Sequence, residues 1–233
     1  MTKQDPFGRA IRDHYQGKRE EPLIDRDGDE TREHSIEEWY FGEHDPEAWR
    51  DSWIEGPVLD MGAGAGRDAL YYQEQFETTA IEVSTHLVKT MRDRGVRDAR
   101  LVNMFELRDH FSRDRFQSAH SIGTQIGLAG SMAGVRQFLG DLAVVTTPDA
   151  TAVLDNYAPE KELTKDVFAI RNDPTPGFAY RVYHEEYKEQ IGEALLFRIF
   201  SVNRLREATI GTPWEVTTVK YSDVQWKAIL EKS

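Results

Sequence analysis

One ten-residue run constrains this chain more than any other: Val58-Leu59-Asp60-Met61-Gly62-Ala63-Gly64-Ala65-Gly66-Arg67. A short apolar stretch, which reads as a buried strand, runs into three glycines at alternate positions, and a helical pattern begins at once. Glycine reaches left-handed backbone conformations and lets a ligand approach without interference from a Cβ. The helix that follows offers unpaired N–H groups to a polar or anionic ligand. A nicotinamide fingerprint needs G-x-G-x-x-G; counted from Gly62, its third glycine would fall at position 67, which is Arg67. A phosphate-binding P-loop is excluded, because no Gly-Lys-Ser/Thr follows.

The rest of the chain supplies the frame for that turn. Strands are predicted over 58–61, 78–83, 99–103, 116–123 and 150–155, with helices over 67–76, 85–94 and 134–145 between them. Ser84 reads as the N-cap of the helix that Gly95 stops. Strands and helices that alternate in this way imply parallel βαβ units. Beyond Asp155 the rhythm becomes antiparallel: a hairpin over 178–200 turning at Gln190-Ile191-Gly192, a short helix after Ser201, and a closing strand pair over 214–221 and 225–230. Residues 1–55 are polar and acidic, with two short helices expected near 6–16 and 46–54.

The glycine run resembles motif I of the class I, Rossmann-like, S-adenosylmethionine-dependent methyltransferases: an acidic residue followed by G-x-G-x-G. The resemblance continues in order down the chain. Glu82 stands 22 residues after Asp60 at the end of the second strand, where the family places an acid that accepts both ribose hydroxyls. Asn103 stands where the family commonly has an aspartate facing the adenine amine, and an amide oxygen can still accept from that amine. By this resemblance the cofactor contacts are Asp60, Gly62, Ala63, Gly64, Gly66, Arg67, Glu82, Val83, Asn103, Met104, Ser121 and Gly123.

It also implies an α/β fold. A seven-stranded, mostly parallel sheet in the order 3-2-1-4-5-7-6 would carry an antiparallel last strand, helices on both faces, an N-terminal helical lid and a hairpin insertion after the fifth strand. The expected organisation is a single domain: 1–55 as lid and substrate segment, 56–156 as cofactor-binding half, 157–200 as insertion, and 201–233 as closing helix and strand pair.

Chemistry is bounded by what is missing. The chain has no cysteine, so no thiolate nucleophile, disulfide or thiolate metal site exists, and cytosine-C5 and arsenite methylation drop out. The Asn/Asp-Pro-Pro-aromatic run of DNA amino-methyltransferases is absent after the fourth strand. No histidine and carboxylate spacing suits a metal. No run of about 18 apolar residues could span a membrane, and the chain reads as soluble and cytoplasmic.

Net charge is −12, with 20 arginines against 9 lysines. Such a surface repels polyphosphate, but the balance also resembles proteins of salt-loving microbes, so charge constrains the acceptor little. The expected partner is a small molecule, with nucleic acid disfavoured, no membrane, and oligomeric state open. Methyl transfer to an oxygen or nitrogen is the leading function. A cofactor-binding sensor without catalysis and a nucleotide-dependent oxidoreductase are the alternatives. Candidates for substrate contact or catalysis are His14, Tyr15, Tyr40, His44 and Gln125, with Asp155, Asn156 and Tyr157 after the fifth strand.

Overall fold

The computed structural model describes residues 4–45 and 49–233. It opens with α1 (Pro6–Tyr15), a hairpin of β1 (Ile24–Asp27) and β2 (Glu30–Glu33), a π-helical turn at Glu37–Phe41 and a 3-10 turn at Trp49–Trp53. The alternating section follows: β3 (Val58–Met61), α2 (Arg67–Tyr72), β4 (Thr78–Glu82), α3 (Thr85–Arg94), β5 (Ala99–Leu101), α4 (Leu107–His110), β6 (Phe116–Ser121), α5 (Met132–Val145) and β7 (Thr146–Tyr157). Then come β8 (Ile170–Asn172), β9 (Phe178–Tyr187), β10 (Gln190–Ile191), β11 (Leu195–Phe200), α6 (Val202–Thr209), β12 (Trp214–Tyr221) and β13 (Gln225–Lys232).

The large sheet has seven strands in the order β12-β13-β7-β6-β3-β4-β5. Neighbours from β5 to β7 are parallel, whereas β13 runs antiparallel to both β7 and β12. β3 is buried at every position, as a parallel strand covered on both faces must be. Its alternation sends Leu59 and Met61 into the main core with Phe138, Leu142, Leu205 and Trp226. Val58 faces the other layer, with Tyr72, Val153 and Ile229. Trp226, fully buried, donates its indole N–H to the Phe200 carbonyl at 2.8 Å. That bond fixes β13 to the end of β11 and leaves the buried indole donor satisfied.

Helix boundaries follow from side-chain chemistry. Ser84 caps α3 by accepting from Leu87 N–H, and Gly95 ends it in the left-handed region at φ 97°. Asp5 caps α1 through Gly8 N–H at 2.8 Å, and its second oxygen accepts from Ser84 Oγ at 2.5 Å. Two helix starts therefore share one carboxylate, which holds α1 over the end of β4. α2 stops at Tyr72, earlier than the periodicity suggests.

The N-terminal segment holds more than the helices expected of it. α1 is present, and a 3-10 turn occupies Trp49–Trp53, while the start of the second expected helix, 46–48, lies outside the described residues. Residues 24–33 form a hairpin, which the polar, acidic character of residues 1–55 does not predict. This hairpin joins the insertion after β7, and together they build a second, six-stranded sheet centred on β9. β1 and β8 run along one edge of β9 and β10 and β11 along the other. Charge pairs, not apolar alternation, hold the hairpin: Arg26 to Glu186 at 2.8 Å, Arg32 to Asp25 at 2.6 Å and Arg171 to Asp27 at 2.6 Å.

Candidate active site

The turn after β3 is built from backbone. Gly62, Gly64 and Gly66 adopt φ of 71°, 58° and 82°, a region that side chains with a Cβ rarely enter. Gly62 and Ala63 N–H both donate to the Ile81 carbonyl, at 3.0 and 3.2 Å, so the turn is pinned to β4. Close packing adds a second requirement: a Cβ on Gly66 would lie 2.7 Å from Val96 Cγ2. On the open side, Cβ atoms on Gly62 and Gly64 would meet Gln125 Cγ at 2.9 Å and Tyr40 Cδ1 at 3.0 Å. Gln125 and Tyr40 therefore lie directly over the glycine turn.

Glu82 completes this end of the sheet. Its carboxylate accepts from Gly64 N–H at 3.0 Å and from Val83 N–H at 2.9 Å. Burial raises its pKa to about 7, against the lowering effect of those backbone donors. Val83 beside it is 68% exposed, an apolar face open to a planar ligand. Asn103 Oδ1 accepts from Phe105 N–H at 3.1 Å, capping the short turn that carries Met104. Met104 is buried, with its sulfur 3.9 Å from Ser121 Oγ. Gly123, at φ 91°, donates to Asp155 Oδ2 at 3.1 Å, and Thr124 N–H donates to Asp155 Oδ1 at 2.6 Å.

Asp60 and Arg67 belong to a buried polar network under the turn. Asp60 is buried, with Oδ1 3.3 Å from His120 Nε2 but not aligned for a hydrogen bond, and its Oδ2 has no partner among the described residues. Burial, then the carboxylates of Asp68 and Glu82, push its pKa well above the ordinary value. Burial drives His120 down to about 4, so this imidazole is neutral near pH 7. Asp68 gathers the positive charge: His44 Nδ1 lies 2.9 Å away, an Arg50 guanidinium nitrogen 3.1 Å and Arg67 Nε 3.1 Å. Burial opposes ionisation of Asp68, yet these partners hold its pKa below the usual carboxylate range. His44 also places Nε2 2.7 Å from Asp51 and stacks on Tyr71 at 3.9 Å. With a carboxylate on each nitrogen both must donate, which raises the pKa of His44 despite its burial.

A second chain of polar groups descends from the small sheet. Asp25, fully buried, lies 2.9 Å from His34 Nδ1, and His34 Nε2 lies 3.0 Å from Tyr40 Oη. This Asp25–His34–Tyr40 line ends over Gly64. His14 and Tyr15 are elsewhere: His14 pairs with Glu37 at 2.5 Å, and Tyr15 donates to the Asp93 carbonyl at 3.0 Å. Asn156 donates to the Arg198 carbonyl at 3.0 Å, and Tyr157 packs in the apolar cluster under β9 and β11.

His34, Asp25, Asp68, Arg50 and His120 were not singled out from sequence. His120 left a readable mark: it sits among small residues on a strand, in register with Asp60. The others are brought together by tertiary contacts alone. Among the described residues no group of three or more histidines and carboxylates could hold a metal ion, and no helix is long and apolar enough to cross a membrane.

No family model matches the sequence, and no curated protein matches it either. Solved structures do match the fold. A S-adenosylmethionine-dependent methyltransferase from Bacteroides fragilis, solved with S-adenosyl-L-homocysteine, superposes with a TM-score of 0.79 at 24% identity, over 98% of this chain and 95% of that one. The 1,6-didemethyltoxoflavin-N1-methyltransferase of Burkholderia thailandensis, with bound 1,6-didemethyltoxoflavin and S-adenosylhomocysteine, gives 0.52 at 19% identity, over 76% and 70%. The CcbJ methyltransferase of Streptomyces caelestis gives 0.59 at 12% identity, over 76% and 83%. The chain has the α/β, Rossmann-like fold of S-adenosylmethionine-dependent methyltransferases.

Proposed function

We propose that this protein is a S-adenosylmethionine-dependent methyltransferase that modifies an oxygen or nitrogen of a small molecule. The observation that carries the reading is the glycine turn with the Glu82 carboxylate against Gly64. A backbone cradle that any Cβ would fill, beside a carboxylate at a strand end, suits a nucleoside whose diol donates two hydrogen bonds. Solved structures of the same fold crystallised with S-adenosylhomocysteine, one of them also with 1,6-didemethyltoxoflavin, support it.

The cofactor, when bound, supplies a methyl group on a sulfonium, which is already a strong electrophile. The protein is left with alignment and exclusion of water. Glu82 takes the ribose diol, Val83 lies against the base, and Asn103 Oδ1 keeps a lone pair for the adenine amine. Tyr40, its hydroxyl held by His34, closes the turn from the side of the small sheet. Gln125 closes it from β6 and brings an amide that can orient an acceptor.

Calorimetric titration with S-adenosylhomocysteine tests the cofactor assignment. Wild type should bind and Glu82→Ala should bind clearly more weakly. A folded wild type that binds none ends the methyltransferase reading. Methyl transfer from labelled cofactor to extracted small molecules, but not to RNA or protein, tests the acceptor class.

A further inference from the structure

At the carboxyl ends of β7 and β12, where β13 begins, lies a cavity of about 250 Å³ lined by Asp45, Trp49, Arg50, Lys220, Tyr221, Ser222, Gln225 and Lys227. Its position follows from the register. Gln225 opens β13 opposite Tyr157, the last residue of β7, so the β12–β13 turn stands at the end of the sheet where open α/β folds bind ligands. Lys227 sits opposite Asp155, whose carboxylate holds the backbone of Gly123 and Thr124.

The lining is cationic in a strongly acidic chain: three basic side chains against one acid, where the whole molecule carries −12. Arg50 is 8% exposed. It gives one guanidinium nitrogen to Asp68 at 3.1 Å, and its buried Nε lies 3.8 Å from Asp51 Oδ1 without a hydrogen bond, so the uncompensated donors of the cavity are the two lysines. Lys220 stands 5.9 Å from the ring centre of Trp49. Lys227 faces the buried Asp155 carboxylate and favours its ionised form, and neither Lys220 nor Lys227 donates a hydrogen bond within the described residues. Trp49 and Tyr221 supply aromatic walls. Unpaired donors between flat apolar walls suit an anion carried on a ring.

We propose that this cavity receives the anionic end of the methyl acceptor, an aromatic ring bearing a carboxylate. The inference rests on the methyltransferase reading. Strand spacing of about 4.8 Å puts β13 and β12, which line the cavity, three and four strands, about 14–19 Å, from the glycine turn on β3. The acceptor therefore reaches from the β12–β13 turn toward the glycine turn, an extended ring acid with a hydroxyl at its far end.

The test uses the full chain saturated with S-adenosylhomocysteine and three probes: a hydroxynaphthoate, the matching neutral hydroxynaphthamide, and inorganic phosphate. The Trp49 indole N–H resonance, assigned through Trp49→Phe, reports occupancy. The acid should bind about tenfold more tightly than the amide, as two charge-assisted contacts require. Lys220→Met with Lys227→Met should bring acid and amide within about twofold without changing affinity for S-adenosylhomocysteine, and Lys220→Arg with Lys227→Arg should keep the preference.

Equal binding of acid and amide, a preference that survives loss of both lysines, or a silent Trp49 signal would each overturn the proposal. A response to phosphate as strong as to the acid would overturn it too, by making this a free-anion site. If S-adenosylhomocysteine fails to bind, the enzymatic reading falls, and the acid–amide comparison on the unloaded protein still decides whether the cavity takes carboxylates.

Discussion

The backbone N–H of Gly64 donates to Glu82 Oε1 at 3.0 Å, so the carboxylate assigned to the ribose is already engaged with the glycine turn. Burial raises its pKa to about 7, and only the ionised form offers both oxygens as acceptors to a diol. Affinity for S-adenosylhomocysteine should therefore rise about tenfold from about pH 6 to pH 8. Glu82→Gln, which keeps an acceptor for Gly64, should bind weakly with no such rise. Stability of the free protein should move the other way. A carboxylate whose folded pKa lies above its unfolded value contributes fully below the unfolded value, and that contribution is lost as pH rises through about 7. Calorimetry and urea denaturation across this range would check both slopes; a flat binding profile in wild type would remove Glu82 from the ribose.

Tyr40 separates a hydrogen bond from a lid. Tyr40→Phe removes only the link to His34 and should cost about 1 kcal/mol of stability, leaving the ring in place over Gly64. Tyr40→Ala opens the turn to water and should cost about 3 kcal/mol, with turnover falling far more than in the Phe variant. Urea midpoints and initial rates on the two variants would show whether the ring or the hydroxyl matters.

Asp68 is the counter-charge for three cations, His44, Arg50 and Arg67. Asp68→Asn should destabilise the protein by about 3 kcal/mol, because it leaves buried positive charge uncompensated. The raised pKa of His44 places its stabilising charge fully below the unfolded value near 6.5, to be lost as pH climbs through the folded value. The penalty of Asp68→Asn should therefore reverse part of that pH dependence. Chemical denaturation at about pH 5 and pH 9 would reveal it.

Two glycines should respond with opposite signs. Gly140, inside α5, has nothing within 4 Å of an added Cβ, and Gly140→Ala should stabilise by about 0.5–1 kcal/mol. Gly66→Ala meets both a left-handed backbone and Val96 Cγ2 at 2.7 Å. It should destabilise by more than 1 kcal/mol, about the cost of a strained backbone alone, and thermal melts of the pair would show both shifts.

The parallel half of the molecule was legible because buried strands and glycine turns announce themselves locally. Ser84 and Gly95 bound α3 where a cap and a left-handed stop were read, and β9 and β12 occupy the residues their β-rich pattern marked. The hairpin of β1 and β2 was not legible, since Asp25, Arg26 and Arg32 carry charges whose partners lie on other strands. The site divided in the same way. Asp60, the glycines and Glu82 follow one another along a single crossover, so spacing reveals them. His34, Arg50, Asp68 and His120 matter through neighbours far away in the chain, and no local pattern carries that information.

The small sheet has a kinetic consequence. β1 is held by β9 across a gap that Arg26 and Glu186 measure as 160 residues. On a growing chain, the hairpin over 24–33 leaves the ribosome long before its partner exists, and its charged edge is what keeps it from pairing elsewhere in the meantime. Closing so long a loop costs chain entropy, so the pairing of β1 with β9 is expected to be slow. The small sheet, from which the Asp25–His34–Tyr40 line reaches the glycine turn, is therefore expected to open before the parallel sheet does, and amide exchange in β1 would read that opening.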